Sequence, residues 1–290
     1  MNAKVDKKMD KKVDKKIDVK KAIQSKYKGY LPNFIYKGIE RLVHEDELNA
    51  MMELQQEVDG VSMGFKVMDY LGVTCEIVGA QRLPALHDRS LFVSNHPLGG
   101  VDGIIYTALL GEYYQKQFNI MVNDVLMNVY QFGDIFLPIN KYGAQARHSF
   151  RLINEALESD RQVMTFPAGL CSRKDSSGEI RDLKWNTSFI RMASRSKRNV
   201  VPLFFEGVNS PRFYNWTKRR ERIGWKFNAE LILLPSEMIR AKGKHFRIIV
   251  GDAIPYTDLP GPKEEQAFAT RLRDSLYTFP RRYGQQSDNI

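Results

Sequence analysis

Apolar residues change their rhythm twice along this chain. Residues 38–57 place Ile39, Leu42, Val43, Leu48, Met51, Met52 and Leu54 mostly at helical spacing, and a second short helix is predicted from Phe65 to Leu71. From Val73 the pattern becomes short apolar runs. Val73–Val78 reads as a strand ending at Gly79, and Leu91-Phe92-Val93 as a short buried strand. Helix is then predicted over 103–111, strand over 119–122 and 135–139, helix over 145–158 and strand over 162–166. Ser172 to Asp182, rich in Ser, Asp and charge, reads as a polar loop. A helix near 186–195, a strand Val200–Phe205, a helix near 211–220, a strand Phe246–Val250 and a final helix over 263–278 complete the series. Short apolar strands alternating with amphipathic helices predict an α/β fold, a layered mixed sheet flanked by helices, with an N-terminal helical segment. The divisions expected are a basic low-complexity tail over 1–30, the helical segment over 31–72 and one larger domain over 73–290.

Charge changes this picture at one end. The 290 residues carry a net charge of +10, and residues 1–28 alone hold eleven Lys and four Asp. The remaining 262 residues therefore carry only +3, which does not support a uniformly basic nucleic-acid-binding domain. Residues 5–18 repeat a four-residue unit, VDKK-MDKK-VDKK-ID. As a helix it would align Val5, Met9, Val13 and Ile17 in a stripe drifting about 40° per repeat. It would also face Lys7 with Lys11, Lys8 with Lys12 and Asp6 with Asp10, all like-charge pairs. A solvated tail and a lysine segment drawn to an anionic bilayer, at about 1 kcal/mol per lysine near the surface, both fit.

Two cysteines, Cys75 and Cys171, exclude a disulfide scaffold and a four-cysteine zinc site, and suit a reducing compartment. No run of 18 apolar residues is present, and the charged N-terminus has no secretory pattern. The expected location is the cytoplasm, with attachment to a membrane surface still open.

Two segments carry candidate chemistry. In Leu91-Phe92-Val93-Ser94-Asn95-His96-Pro97-Leu98-Gly99-Gly100-Val101-Asp102-Gly103, a strand runs into a Gly-rich loop and then a helix. His96 sits just past the strand end, where sheets of this class hold ligands. Gly99 and Gly100 allow a bend tight enough to return Asp102 to His96. A carboxylate on one imidazole nitrogen leaves the other free to take a proton from a hydroxyl. The plainer alternative is a helix-capping Asp beside a histidine bonded to backbone. In Val163 to Lys174 a second strand meets the turn Phe166-Pro167-Ala168-Gly169, followed by Ser172, Arg173 and Lys174. Backbone N–H groups around Gly169, with the two cations, could hold an anionic head group or an oxyanion, or form an ordinary loop.

Other patterns are weaker. Gly60-Val61-Ser62-Met63-Gly64 spells a serine-hydrolase elbow, but a helix-like stretch precedes it where a strand is required. Cys171 has no readable base. His44, His87, His148 and His245 lack metal spacing, and Gly99-Gly100 with Gly103 is not a dinucleotide fingerprint, so neither a metal nor another cofactor is expected. Glu206, Asn209 and Arg212 either line an acceptor pocket or form a capped turn.

Together the segments resemble the glycerolipid acyltransferase superfamily of the lysophosphatidate acyltransferase type. Its four blocks stand in order as Asn95-His96 with Asp102, Gly133-Asp134-Ile135-Phe136, Phe166-Pro167-Ala168-Gly169 and Val200-Val201-Pro202, covering about residues 73–255. Five residues separate His96 from Asp102, where the common pattern has four. This His-Pro-Leu-Gly-Gly-Val-Asp form is similar to the hemolysin-like and ornithine- or glycine-lipid O-acyltransferase branch. Asn140-Lys141 follows Ile139 where an Arg is usual, and Ala168 replaces a Glu. Both lost positions are associated with a glycerol phosphate acceptor.

The resemblance implies an O-acyltransferase that moves a fatty acyl group from acyl carrier protein or coenzyme A to a lyso-lipid hydroxyl, with a lyso-amino-acid lipid favoured. It makes His96 the base and Asp102 its support. It places Asn95, Gly99, Gly100, Lys141, Phe166, Pro167, Gly169, Ser172, Arg173, Lys174 and Glu206 around the substrates, at an anionic membrane surface and without nucleic acid. The alternatives are a lysophosphatidate acyltransferase and a non-catalytic lipid- or carrier-binding module.

Overall fold

The computed structural model describes residues 18, 20–21, 32–54, 58–123, 135–139, 143–222 and 233–284; the N-terminal repeat, Lys141 and the Gly133-Asp134 pair lie outside them. The strands are β1 Thr74–Val78, β2 Ser90–Ser94, β3 Phe118–Asn123, β4 Phe136–Ile139, β5 Gln162–Thr165, β6 Arg173–Lys174, β7 Ile180–Arg181, β8 Asn199–Glu206 and β9 His245–Val250. Seven of them form one sheet in the order β1-β9-β8-β2-β5-β3-β4. All neighbours are parallel except β8 and β9.

Both faces of this sheet are covered, which is why its central strands read as unbroken apolar runs. Along β8, Val201, Leu203 and Phe205 join Phe92 and Ile248 in one core. Val200 and Phe204 join Leu91, Val93 and Ile249 in the other. Pro202 is tolerated mid-strand because its polar side faces the end of β9, where its carbonyl accepts the Gly251 N–H at 2.9 Å. The first core is closed by α3 (Gly60–Leu71) and α4 (Val101–Tyr113), after α1 (Asn33–Val43) and α2 (Glu45–Glu53) have opened the described chain. The second is closed by α5 (Gly143–Glu158), α6 (Ser188–Ser196) and, later in the chain, α9 (Glu265–Leu276). A third, smaller cluster joins Phe213 and Tyr214 of α7 (Pro211–Arg222) to Cys171 and to Leu233 and Leu234 at the start of α8 (Leu234–Arg240).

Three sequence expectations need correction. The helix expected over 38–57 is two helices, split where His44 takes a left-handed conformation at φ 53°. The helix expected from Phe65 begins at Gly60, because Asp59 caps it by accepting from the N–H groups of Val61 and Ser62 at 3.1 Å. The polar loop 172–182 is an antiparallel hairpin, β6 with β7. Helix α8 was not foreseen.

Candidate active site

Strands β2, β5 and β8 lie side by side and parallel, so their carboxyl ends share one edge of the sheet. Past these ends come His96, Phe166 and Glu206 or Gly207. Asn95 ties two of them together: its Oδ1 accepts from Phe205 N–H at 2.7 Å, and its Nδ2 donates to the Phe205 carbonyl at 2.9 Å. Gly99 makes the bend, at φ 75°. A Cβ there would stand 2.9 Å from Leu234 and 3.2 Å from Cys171, so only glycine gives both the torsion and the space. Gly100 precedes α4 as its N-cap without crowding.

The bend brings Asp102 back onto His96. Asp102 Oδ2 lies 2.9 Å from His96 Nδ1. Asp102 does not act as the helix cap. It sits within the first turn, accepting from Leu98 N–H at 3.1 Å and Gly103 N–H at 3.0 Å. It is fully buried, while 16% of the His96 side chain is exposed. Among the described residues none hydrogen-bonds His96 Nε2, and the imidazole lies stacked on Phe166 with centroids 4.0 Å apart and 24° between planes. Burial works to lower the His96 pKa, but the charge and hydrogen bond of Asp102, helped by Asp182 and opposed by Arg173, raise it above its ordinary value. Burial likewise works to raise Asp102, and His96 with the two backbone N–H groups brings it below the usual carboxylate range. The pair is an oriented imidazole with its outer nitrogen open, the arrangement required of a general base.

The second segment divides. Phe166 reaches the site. The Gly169 N–H closes its own turn on the Phe166 carbonyl at 2.9 Å, and the Pro167 carbonyl accepts from Asn186 at 2.9 and 3.1 Å; the expected oxyanion donor at Gly169 is thus already engaged. Arg173 is buried, donating to the Cys171 carbonyl at 2.7 Å and sulfur at 3.0 Å, with its guanidinium over the Phe213 ring. Lys174 points away, its stem over Gly178 of the same hairpin. Ser172 is buried, with N–H to the His96 carbonyl at 2.8 Å and hydroxyl to Asp182 at 2.6 Å, so it braces the loop while also bordering the cavity described next. Glu206 pairs with Arg247 at 3.2 Å and borders a cavity of about 170 Å³ that Asn95, Pro97 and Tyr277 also line, beside the His96 loop.

Asp182, Trp185 and Tyr277 were missed. A lone charge in a polar stretch carries no sign of burial, and Tyr277 lies far along the chain from Asp182 and Trp185. The decoys resolve simply: the Ser62 hydroxyl donates to Asp59 in the first turn of α3 at 2.9 Å, and Cys171 packs against Gly99 and Arg173.

Residues 19–278 match the sequence model of a family described as Acyltransferase. A lyso-glycine lipid O-acyltransferase of Phocaeicola vulgatus is 37% identical over 252 residues, covering 87% of this chain and 89% of that protein. One of Bacteroides thetaiotaomicron is also 37% identical over 252 residues, covering 87% and 92%. Among solved structures, the 1-acyl-sn-glycerophosphate acyltransferase PlsC of Thermotoga maritima aligns at TM-score 0.46 and 11% identity, over 88% of this chain and 91% of that one.

Proposed function

The chain belongs to the acyltransferase family, and from that premise we propose that it moves a fatty acyl group from an acyl thioester to the free hydroxyl of a lyso-glycine lipid. The observation that carries the reading is the His96–Asp102 pair at 2.9 Å, with the outer imidazole nitrogen open at the strand ends. His96 Nε2 takes the hydroxyl proton as the oxygen attacks the thioester carbonyl. The C–O bond forms, the C–S bond breaks, and the departing thiolate recovers the proton from the imidazolium. No acyl-enzyme is needed. Asp102 orients the ring and stabilises its protonated form, and Phe166 holds the ring plane.

The acceptor is supported by the names of the two 37%-identical relatives and by Ala168, which leaves the turn without the Glu associated with glycerol phosphate. Buried Arg173, whose charge reaches His96, supplies positive potential for the acceptor's carboxylate. The thioester is carried by acyl carrier protein or coenzyme A. The enzyme works at the inner face of an anionic membrane. No helix among the described residues is long and apolar enough to cross a bilayer. Attachment to its surface draws support from the lysine repeat and from Arg212, Trp216 and Arg219, which line an open groove on α7.

A parallel transfer assay tests this, offering labelled acyl carrier protein and acyl coenzyme A against lyso-glycine lipid and lysophosphatidate. Ester formation on lyso-glycine lipid is expected. Product from lysophosphatidate alone would replace the acceptor, and no product from any pairing would overturn the reading.

A further inference from the structure

His96 lies in a loop, outside any strand ladder, yet proton transfer needs its ring within about 2.6–3.2 Å of the reacting hydroxyl. Its peptide is held by the β6–β7 hairpin in a closed ring of hydrogen bonds. The His96 N–H donates to Asp182 Oδ1 at 3.1 Å. The Ser172 hydroxyl donates to the same oxygen at 2.6 Å, and the Ser172 N–H donates to the His96 carbonyl at 2.8 Å. The other oxygen, Oδ2, accepts from the Trp185 indole at 2.9 Å, and the Asp182 N–H donates to the Tyr277 hydroxyl at 2.6 Å.

We propose that Asp182 is a positioning residue for His96, a second buried carboxylate that seats the base through its backbone while Asp102 orients its ring. The proposal rests on the acyl-transfer reading above. A carboxylate only 4% exposed is costly to hold beside Trp185 and Tyr277 unless donors surround it. Burial pushes Asp182 up, and Ser172, Trp185 and the His96 N–H only partly offset it, so its carboxyl stays above the usual carboxylate range. A structural hairpin needs no charge there. The charged or titratable groups that act on His96 are Asp102, Asp182 and Arg173, with the Tyr106 and Tyr277 phenols close to the carboxylates.

The test follows His96 by NMR titration in the full chain, its resonance identified by its loss in H96Q, alongside the pH profile of acyl transfer. Asp182→Asn should move the His96 midpoint down by about one pH unit, as expected for loss of a nearby anion. It should also lower kcat on the order of 10²-fold, the scale of a small misplacement of a reacting group. Trp185→Phe keeps the charge and should leave the midpoint in place. A folded Asp182→Asn with an unmoved midpoint and wild-type kcat overturns the proposal. Should Asp182→Asn not fold, Ser172→Ala breaks the ring from its other side. Lower kcat at unchanged KM supports the clamp, and unchanged kcat overturns it. If wild-type protein transfers no acyl group, the acyl-transfer reading fails while the titration still decides the role of Asp182.

Discussion

The His96 imidazole and the Asp102 carboxyl are each shifted toward their charged forms, and this sets two opposite pH demands. His96, raised, contributes stability that is full below its unfolded value of 6.5 and is lost as pH rises through its folded value. Asp102, lowered, contributes stability present above 3.8 and lost as pH falls through its folded value. The pair therefore stabilises most between about pH 4 and 6.5, while the proposed role of His96 as base needs the neutral imidazole. The expected kcat/KM profile rises with pH along a limb centred above 6.5, and a limb at or below 6.5 would count against the geometry. His96→Ala should lose about 10²–10⁴-fold in kcat while the protein still folds, with a lower melting temperature because buried Asp102 loses its partner. Near-wild-type turnover would remove His96 as base. This pair was legible in the sequence because both members and their glycine hinge lie in one short bend. Asp182 was not legible, since its contact with His96 spans 86 positions and its burial depends on Trp185 and Tyr277.

Strands were read more reliably than their connections, for a physical reason. A strand covered on both faces is apolar throughout, so β2, β5 and β8 announce themselves. The β6–β7 hairpin has two residues per strand, too few for alternation, and it buries Arg173 while exposing Lys174. Helix α8 is only seven residues long and offers about two turns of pattern. A second buried cation went unnoticed for the same reason. Arg198, fully buried, donates to the carbonyls of Ser90, Ala156, Leu157, Ser159 and Arg161, stitching the end of α5 to the starts of β2 and β5. Burial draws its pKa down to about 10. Arg198→Met should remove five hydrogen bonds, although Arg89 still reaches the Leu157 and Ser159 carbonyls and the Ser159 hydroxyl that of Ala156, and cost about 3 kcal/mol, read as a lower denaturant midpoint at unchanged slope. Helix α3 seats on α4 through Gly64 against Ala108 and Val61 against Gly111, where an added Cβ would come within 3.1 and 2.6 Å.

Across the whole molecule, charge and catalysis are segregated. Residues 1–28 carry +7 of the net +10, so the tail dominates any long-range attraction to an anionic surface. Deleting them should weaken sedimentation with anionic vesicles, most visibly at low salt, and leave transfer to detergent-dispersed acceptor intact. Unchanged sedimentation would make the tail a spacer. The class of fold and the sheet's layered build followed from the rhythm of apolar runs. The reversal of β9 against β8 did not, because strand direction is set by connections rather than by composition. The hydrogen-bonded ring around His96 also has a consequence for biogenesis. It joins residue 96 to residues 172 and 182, so a nascent chain emerging from the ribosome has the proposed base long before it has the seat for it. On the proposed role of Asp182, acyl transfer is expected only once the hairpin has closed on His96.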